Sequence, residues 1–331
     1  MAIRKKKKIF AERNLLIILI IIWMFLAFAT KGTFSSFSNI TNLLRQSAIN
    51  GVVAIGMTFI IITGGIDLSV GSVVGLSGMI YAILTSSRGD FQLPSFVAIA
   101  VALAISAVIG LVNGIAVHDG KVPAFIATLG MMTLVRGLIM YLSSGRMVTG
   151  VPLGFREFAV DTFLGIPALV WTWLIIAIVT AFILKYTKFG RNLYAIGSNV
   201  EAARLSGINI RINMYGFYSL AALLSGIGGL MLATRMAAGV PTGGQGYELD
   251  AIASVVIGGA SLNGGVGTIL GTVLGALIIQ TIRNGGNLLG VDPFIMQIII
   301  GAIIILAVFF DQYIKTREKG KGIKKLFKRE A

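Results

Sequence analysis

Residues 190–208, GRNLYAIGSNVEAARLSGI, form a polar island inside a basic stretch from Lys185 to Arg211, with long hydrophobic segments on both sides. The rest of the chain is very apolar. Of its 331 residues 56% are hydrophobic and only 12% charged, with mean hydropathy +0.90, whereas an ordinary soluble domain is about 25% charged. The apolar runs are therefore membrane spans, and the chain is an integral membrane protein. A positively charged, structured loop midway along such a chain is a surface offered to a partner in the cytoplasm.

Working outward from the island, apolar segments of roughly spanning length fall at 14–30, 44–63, 70–85, 94–117, 123–142, 166–184, 212–234, 249–261, 266–282 and 294–310. This predicts an all-α polytopic fold of about ten transmembrane helices, with 1–13 a basic cytoplasmic N-terminus, 14–311 the transmembrane domain and 312–331 a basic cytoplasmic tail. The segment at 249–261 is too short to cross alone at about 1.5 Å per residue. Those at 44–63 and 70–85 are separated only by a Gly-rich break, so broken or re-entrant helices are expected in both places.

Charge gives an independent test. With the N-terminus in the cytoplasm, the segments placed inside hold twenty Lys and Arg and those outside seven, counting Arg45 at the outer end of the 44–63 segment, with Arg136 the one deep inside a span. That asymmetry places both termini inside and requires an even number of crossings. Lys5 to Lys8, the following apolar run and Ala27-Phe28-Ala29 also have the form of a signal peptide. A retained first helix is the simpler reading, because a polytopic chain needs no separate targeting signal.

The net charge of +15 is explained by topology and does not call for nucleic acid. With no cysteine and a single histidine, His118, there is no disulfide, thiolate or zinc chemistry. No clustered acids or nucleophile with a base marks a catalytic residue.

Glycine organises the interior. Many of the 42 glycines fall at small-xxx-small spacings, such as Gly71 and Gly75 or Gly267, Gly271 and Gly275, which let helices approach closely where hydrophobicity cannot drive association. The pairs Gly64-Gly65, Gly258-Gly259 and Gly264-Gly265 mark breaks. Residues 64–75, GGIDLSVGSVVG, align with 258–271, GGASLNGGVGTILG, as a weak internal repeat with two residues inserted. If the repeat reflects duplication, the two breaks face each other near the middle of the fold.

A charge at the bilayer centre costs about 3 kcal/mol on the lenient insertion scale, so Asp67, at the first break, and Arg136, within the fifth span, stand out. They could pair with each other, line an aqueous pathway or lie nearer the surface. Glu248, Asp250, Arg283 and Asp292 fall in predicted outside loops as candidates for contact with a solute or partner. Phe125 and Tyr247 could stack on a sugar, while Trp171 and Trp173 at a span entrance read as interfacial anchors.

Within the island, Ser198-Asn199-Val200-Glu201 has the S-x-x-E form of a capping box, and Gly207 can take the left-handed conformation that ends a helix. A short helix from 199 to 206 follows, its Ala202 and Ala203 letting a partner approach closely and Arg191, Arg204 and Arg211 supplying a positive rim.

Glu201-Ala202-Ala203 followed by Gly207 resembles the coupling segment of ABC importer permeases. Residues 64–72, GGIDLSVGS; Asn113-Gly114; 121–130, KVPAFIATLG; Arg136-Gly137; 190–208; and 255–265, VVIGGASLNGG, together resemble the ribose-type monosaccharide ABC transporter permeases, in order over residues 40–310. Two mild departures are GSN at 197–199, where the family often has GGN, and PAF at 123–125, where many members have PPF.

The resemblance implies a homodimeric or pseudo-dimeric permease in the cytoplasmic membrane, in contact with lipid. It would work with a separate ABC ATP-binding subunit, which holds the ATP and Mg, and with an extracytoplasmic sugar-binding protein. No G-x-x-x-x-G-K-[S/T] phosphate loop occurs in the sequence, in keeping with that division. Ser198, Glu201, Ala202, Ala203, Arg204 and Gly207 are then the candidates for coupling to the ATPase. Asp67, Asn113, Phe125, Thr128 and Arg136 are candidates for the translocation pathway or its gate. Ribose is the first expectation, followed by xylose, galactose or another small polar solute. The alternative is an ion-coupled secondary transporter, which would want several intramembrane acids where Asp67 is nearly alone.

Overall fold

The computed structural model describes the backbone of residues 2–327 and the side chains of residues 12–309 and Tyr313. Most side chains of the two predicted basic ends therefore lie outside the described residues. Each apolar segment read from the sequence is helical: α1 (Ala2–Ala29), α2 (Phe37–Ile62), α3 (Val70–Thr85), α4 (Ser95–His118), α5 (Ala124–Ser143), α7 (Ala168–Tyr186), α10 (Ile210–Met236), α11 (Tyr247–Ile257), α12 (Ile269–Leu288) and α13 (Pro293–Phe327). Between them lie α6 (Leu153–Val160), α8 (Lys188–Ser198), α9 (Val200–Leu205) and a two-stranded antiparallel ribbon of β1 (Thr162–Phe163) and β2 (Ile166–Pro167). That ribbon is the one departure from an all-α fold among the described residues. α6, α8 and the ribbon are too short and too mixed in polarity to show as apolar periods.

Among the described residues six helices are long and apolar enough to cross a membrane: α1 from Glu12 onward, α2, α4, α5, α7 and α10. α3 and the Pro293–Phe309 part of α13 are shorter apolar helices. α11 has eleven residues and reaches about 16 Å, half of a hydrocarbon core of about 30 Å.

α2 is the centre of the bundle. Every residue from Ser47 to Ile62 is buried, because α10, α11, α12 and α7 pack around it. Its all-round apolar composition is that of a helix with no lipid-facing side. α10 packs in turn on α4 and α3. A Cβ at Gly110 of α4 would lie 2.3 Å from the Tyr218 carbonyl oxygen of α10, so these helices meet backbone to backbone. Trp173 is buried, and a Cβ at Gly51 would lie 2.3 Å from its indole. It is thus a packing residue on α2 and not the interfacial anchor expected of it, because the face of α7 that carries it turns inward.

Contacts between connecting segments sort into two groups. In one, Asn39 and Asn284 exchange side-chain amide bonds of 3.0 and 2.9 Å, the Ser87 amide donates to the Gly150 carbonyl at 2.9 Å, and Val148 bridges Gly239. In the other, Arg211 donates to Asp119 at 3.1 Å, Thr268 to Glu12 at 3.1 Å, and the Gly265 amide to the Ile62 carbonyl at 2.8 Å. The first group joins segments placed outside by the count of basic residues, and the second joins segments placed inside or the span ends, at Ile62 and Thr268, that adjoin them.

Replacing Gly110 by Val forces α4 and α10 apart and is expected to cost the ~1–3 kcal/mol of an overpacked interior. Gly154→Val, where nothing lies within 4 Å, should be neutral. Tryptophan-monitored thermal unfolding of the detergent-solubilised protein reads both.

Candidate functional site

The polar island folds as two consecutive short helices. In α8, Thr187 caps the N-terminus by accepting the Gly190 amide, and Leu193 and Ile196 are buried. The Tyr194 hydroxyl, its pKa raised by burial, donates to the Gly267 carbonyl at 2.9 Å. A Cβ at Gly197 would lie 1.7 Å from the Ile62 carbonyl oxygen and 2.7 Å from the Gly265 amide nitrogen. The last turn of α8 is thereby pressed onto the place where the two helix breaks meet.

α9 is capped at both ends, but not by the predicted box. Ser198 is still helical, as the last residue of α8. The chain turns extended only at Asn199 (φ −164°, ψ 109°), whose side chain accepts the Ala202 amide at 3.0 Å. A cap requires that non-helical backbone, so its position moves one residue on. Glu201 then cannot close the box, and instead both its carboxylate oxygens accept from Arg204 at 3.1 Å. Gly207 is left-handed at φ +80°, its amide donating to the Arg204 carbonyl and that of Ile208 to Ala203, the Schellman arrangement expected of a terminal glycine.

Ala203 is buried, while Ser198, Glu201, Ala202, Arg204 and Gly207 are exposed. Sequence reasoning overlooked Leu205, which is 89% exposed, and Val200 beside it. The available signal was a bulky apolar residue on a helix whose own buried face is only an alanine. Next to this element, Asp119 binds the Tyr215 hydroxyl and Arg211, which together hold its carboxyl below the usual range.

The pathway candidates separate into three places. Asp67 is fully buried, its Oδ1 accepting the Ser69 amide at 2.8 Å and the Ser69 hydroxyl at 2.6 Å. Asn113 of α4 donates to the Ser69 hydroxyl at 2.9 Å, and the hydroxyl of Thr128 of α5, which donates to Ala124 of its own helix at 2.8 Å, also lies 3.3 Å from the Ile66 carbonyl. Asp67, Asn113 and Thr128 thus tie the first break to its neighbours. Arg136 lies elsewhere, donating to the carbonyls of Pro241 and Gly243 at 3.2 and 3.0 Å, with Glu248 in electrostatic reach. Phe125 is exposed on the outer face of α5 and does not join the cluster.

A third feature is a cavity of ≈ 610 Å³ between α2, α11, α12 and α13. Asp250, expected in a solvated loop, is buried in its wall, its Oδ1 accepting from Arg283 at 2.6 Å and its Oδ2 from Asn50 at 3.1 Å. Asp292 stays apart, accepting the Phe294 amide at the start of α13. The amides Gln46, Asn50, Gln280 and Gln297 in this wall were not singled out. An amide on an apolar span was their signal. Among the described residues no group of three or more His, Cys, Asp or Glu could hold a metal.

Asn199→Ala should weaken α9 by ~1 kcal/mol, the usual cost of a lost cap, while Ser198→Ala should not. Hydrogen exchange of the amides at 200–207 distinguishes the two, and equal protection in both variants would contradict the assigned cap.

A protein family described as branched-chain amino acid transport system / permease component matches residues 39–308. The chain is 43% identical over 293 residues to the ribose import permease protein of Haemophilus influenzae, covering 86% of this chain and 88% of that one. It is 45% identical over 276 residues to the ribose import permease protein of Bacillus subtilis, covering 83% and 84%. The xylose transport system permease protein of Escherichia coli K12 is 35% identical over 360 residues, covering 90% and 91%. No solved structure matches the chain.

Proposed function

The chain belongs to the transport-system permease family that it matches over residues 39–308, and on that footing we propose that it is the membrane-spanning subunit of an ATP-driven importer for a monosaccharide, ribose first. It carries no ATPase of its own. ATP and Mg are held by a cytoplasmic ATP-binding subunit, and the sugar is delivered by an extracytoplasmic binding protein. Two copies of the permease form the membrane unit. Ten crossings would leave both termini in the cytoplasm, in keeping with the distribution of basic residues.

One observation carries the coupling reading. α9 is a rigid, doubly capped helix that projects Leu205 into solvent while its partner α8 rests, through Gly197, on the meeting point of both helix breaks. A groove on the ATPase would take Leu205, Ala202 and Glu201, with Arg204 at its edge. Ala203 anchors the helix to its own protein, and Gly207 fixes its end. When the ATPase pair closes on ATP, α9 moves as a unit and α8 passes the displacement to the breaks. The membrane halves then exchange inward and outward openings.

Burying a leucine is worth about 1.5–3 kcal/mol. Leu205→Asp should therefore weaken ATPase association by roughly 10–100-fold and reduce ATP-driven ribose uptake in proteoliposomes, with membrane insertion unchanged. Gly207→Pro should uncouple hydrolysis from uptake by deforming the helix end. If wild-type uptake persists without the ATPase and collapses when a proton or sodium gradient is dissipated, the protein is an ion-coupled transporter and this reading fails.

A further inference from the structure

We propose that the cavity between α2, α11, α12 and α13 is the outward-facing transit site for the solute, built to take a neutral, polyhydroxylated molecule of monosaccharide size. The proposal rests on the importer reading and deepens it by naming the site and the chemistry that it selects.

The volume of ≈ 610 Å³ lies within the range of roughly 300–1,000 Å³ usual for small-molecule sites. Asp250 is 3% exposed and committed to Arg283 and Asn50, so the ion pair of the wall is satisfied within itself. Glu248, also in the lining, turns its carboxylate against Gly71 of α3, where an added Cβ would collide with its Oε2. The charges of the wall are thus engaged within the protein.

What remains is amide. Gln46, Asn50, Gln245, Gln280 and Gln297 line the cavity, each carrying both a donor and an acceptor. That pairing suits hydroxyl groups, which also donate and accept. Asn50 is 2% exposed, and its Oδ1 has no protein partner, nor has Nε of Arg283. Buried polar atoms are otherwise almost always satisfied, so these two mark where a ligand or its water completes the wall. The other side is aliphatic, with Leu249, Ile300 and Ile304 facing the C–H surface that a sugar ring presents between its hydroxyls.

The position fits a transit site as well. Arg283 and the start of α11 lie on the side placed outside by charge. α11 runs from Tyr247 at the cavity to Ile257 at the second break, and that break is the surface on which α8 rests. A displacement of α9 can thus reach the cavity wall along a single helix of about 16 Å. The cluster of Asp67, Asn113 and Thr128 holds the first break in shape.

The chain contains no cysteine, so a single Gln297→Cys or Thr149→Cys variant can be labelled uniquely. Thr149 lies in the outer loops, away from this cavity. In the complete reconstituted complex, a membrane-impermeant thiosulfonate should label both from outside. Ribose should slow labelling at Gln297→Cys by about threefold at twice its half-saturating concentration, the factor 1 + [L]/Kd for competition. It should leave Thr149→Cys unaffected, and glycine betaine, which has no hydroxyl, should protect neither. Adding Asn50→Leu to Gln297→Cys should abolish the protection.

Protection by betaine or by sodium ion would overturn the polyhydroxyl assignment. No protection by ribose in a complex that still performs ATP-driven ribose uptake would overturn the site while leaving the importer reading intact. Equal slowing at both cysteines would mean a global change and would also overturn it. Absence of ATP-driven uptake in the unmodified complex would instead bring down the importer reading itself.

Discussion

The amide of Gly265 donating to the carbonyl of Ile62 at 2.8 Å is the contact on which the rest of the bundle depends. Ile62 ends α2, and the last carbonyls of a helix have no partner within it. In an apolar surrounding each unsatisfied backbone group costs several kcal/mol, so a helix can break there only if something else supplies the missing bonds. Here the amides of Thr63, Gly64 and Gly65 turn back to the carbonyls of Ile60 and Ile61, and the second break supplies the bond to Ile62. A Cβ at Gly264, itself left-handed at φ +84°, would lie 3.0 Å from the Gly64 nitrogen and 2.6 Å from the Gly197 carbonyl oxygen. Only glycine lets three backbones approach so closely.

This junction makes the bundle a mechanical object. The short helix α9 has no large buried face of its own, yet it is joined to α8, and α8 bears on the junction through Gly197. From the junction α11 leads to the amide-lined cavity, while the loop after α10 is held by Arg136 through the carbonyls of Pro241 and Gly243. Backbone contacts between rigid helices have little slack, because no flexible side chain intervenes to absorb a displacement. The same glycines that permit close packing thus leave the junction little slack.

Much of the architecture was legible in the residues. Apolar runs located the long helices, since hydrophobicity is summed over about twenty positions and tolerates local noise, although α1 and α13 run on well past the apolar runs into the basic ends. The glycine pairs located both breaks, and Gly207 located the end of α9, because a left-handed residue has few alternatives. The N-cap was off by one residue, Asn199 in place of Ser198, because a capping box read alone ignores that another helix, α8, occupies the preceding residues. Phe125 fell within a recognisable string, yet it faces outward on α5, and nothing local to it reveals which face of that helix packs.

The sequence by itself determined the membrane class, the long apolar helices and the points where several of them stop, all matters of composition or of a few neighbouring residues. Only the tertiary structure decided which polar groups meet. Asn50 and Asp250 are 200 residues apart, and their pairing with Arg283 depends on how α2, α11 and α12 pack. So does the cavity that their arrangement leaves lined with amides. Local energies fix where a helix begins and ends, but only close packing between distant segments fixes what its polar side chains face.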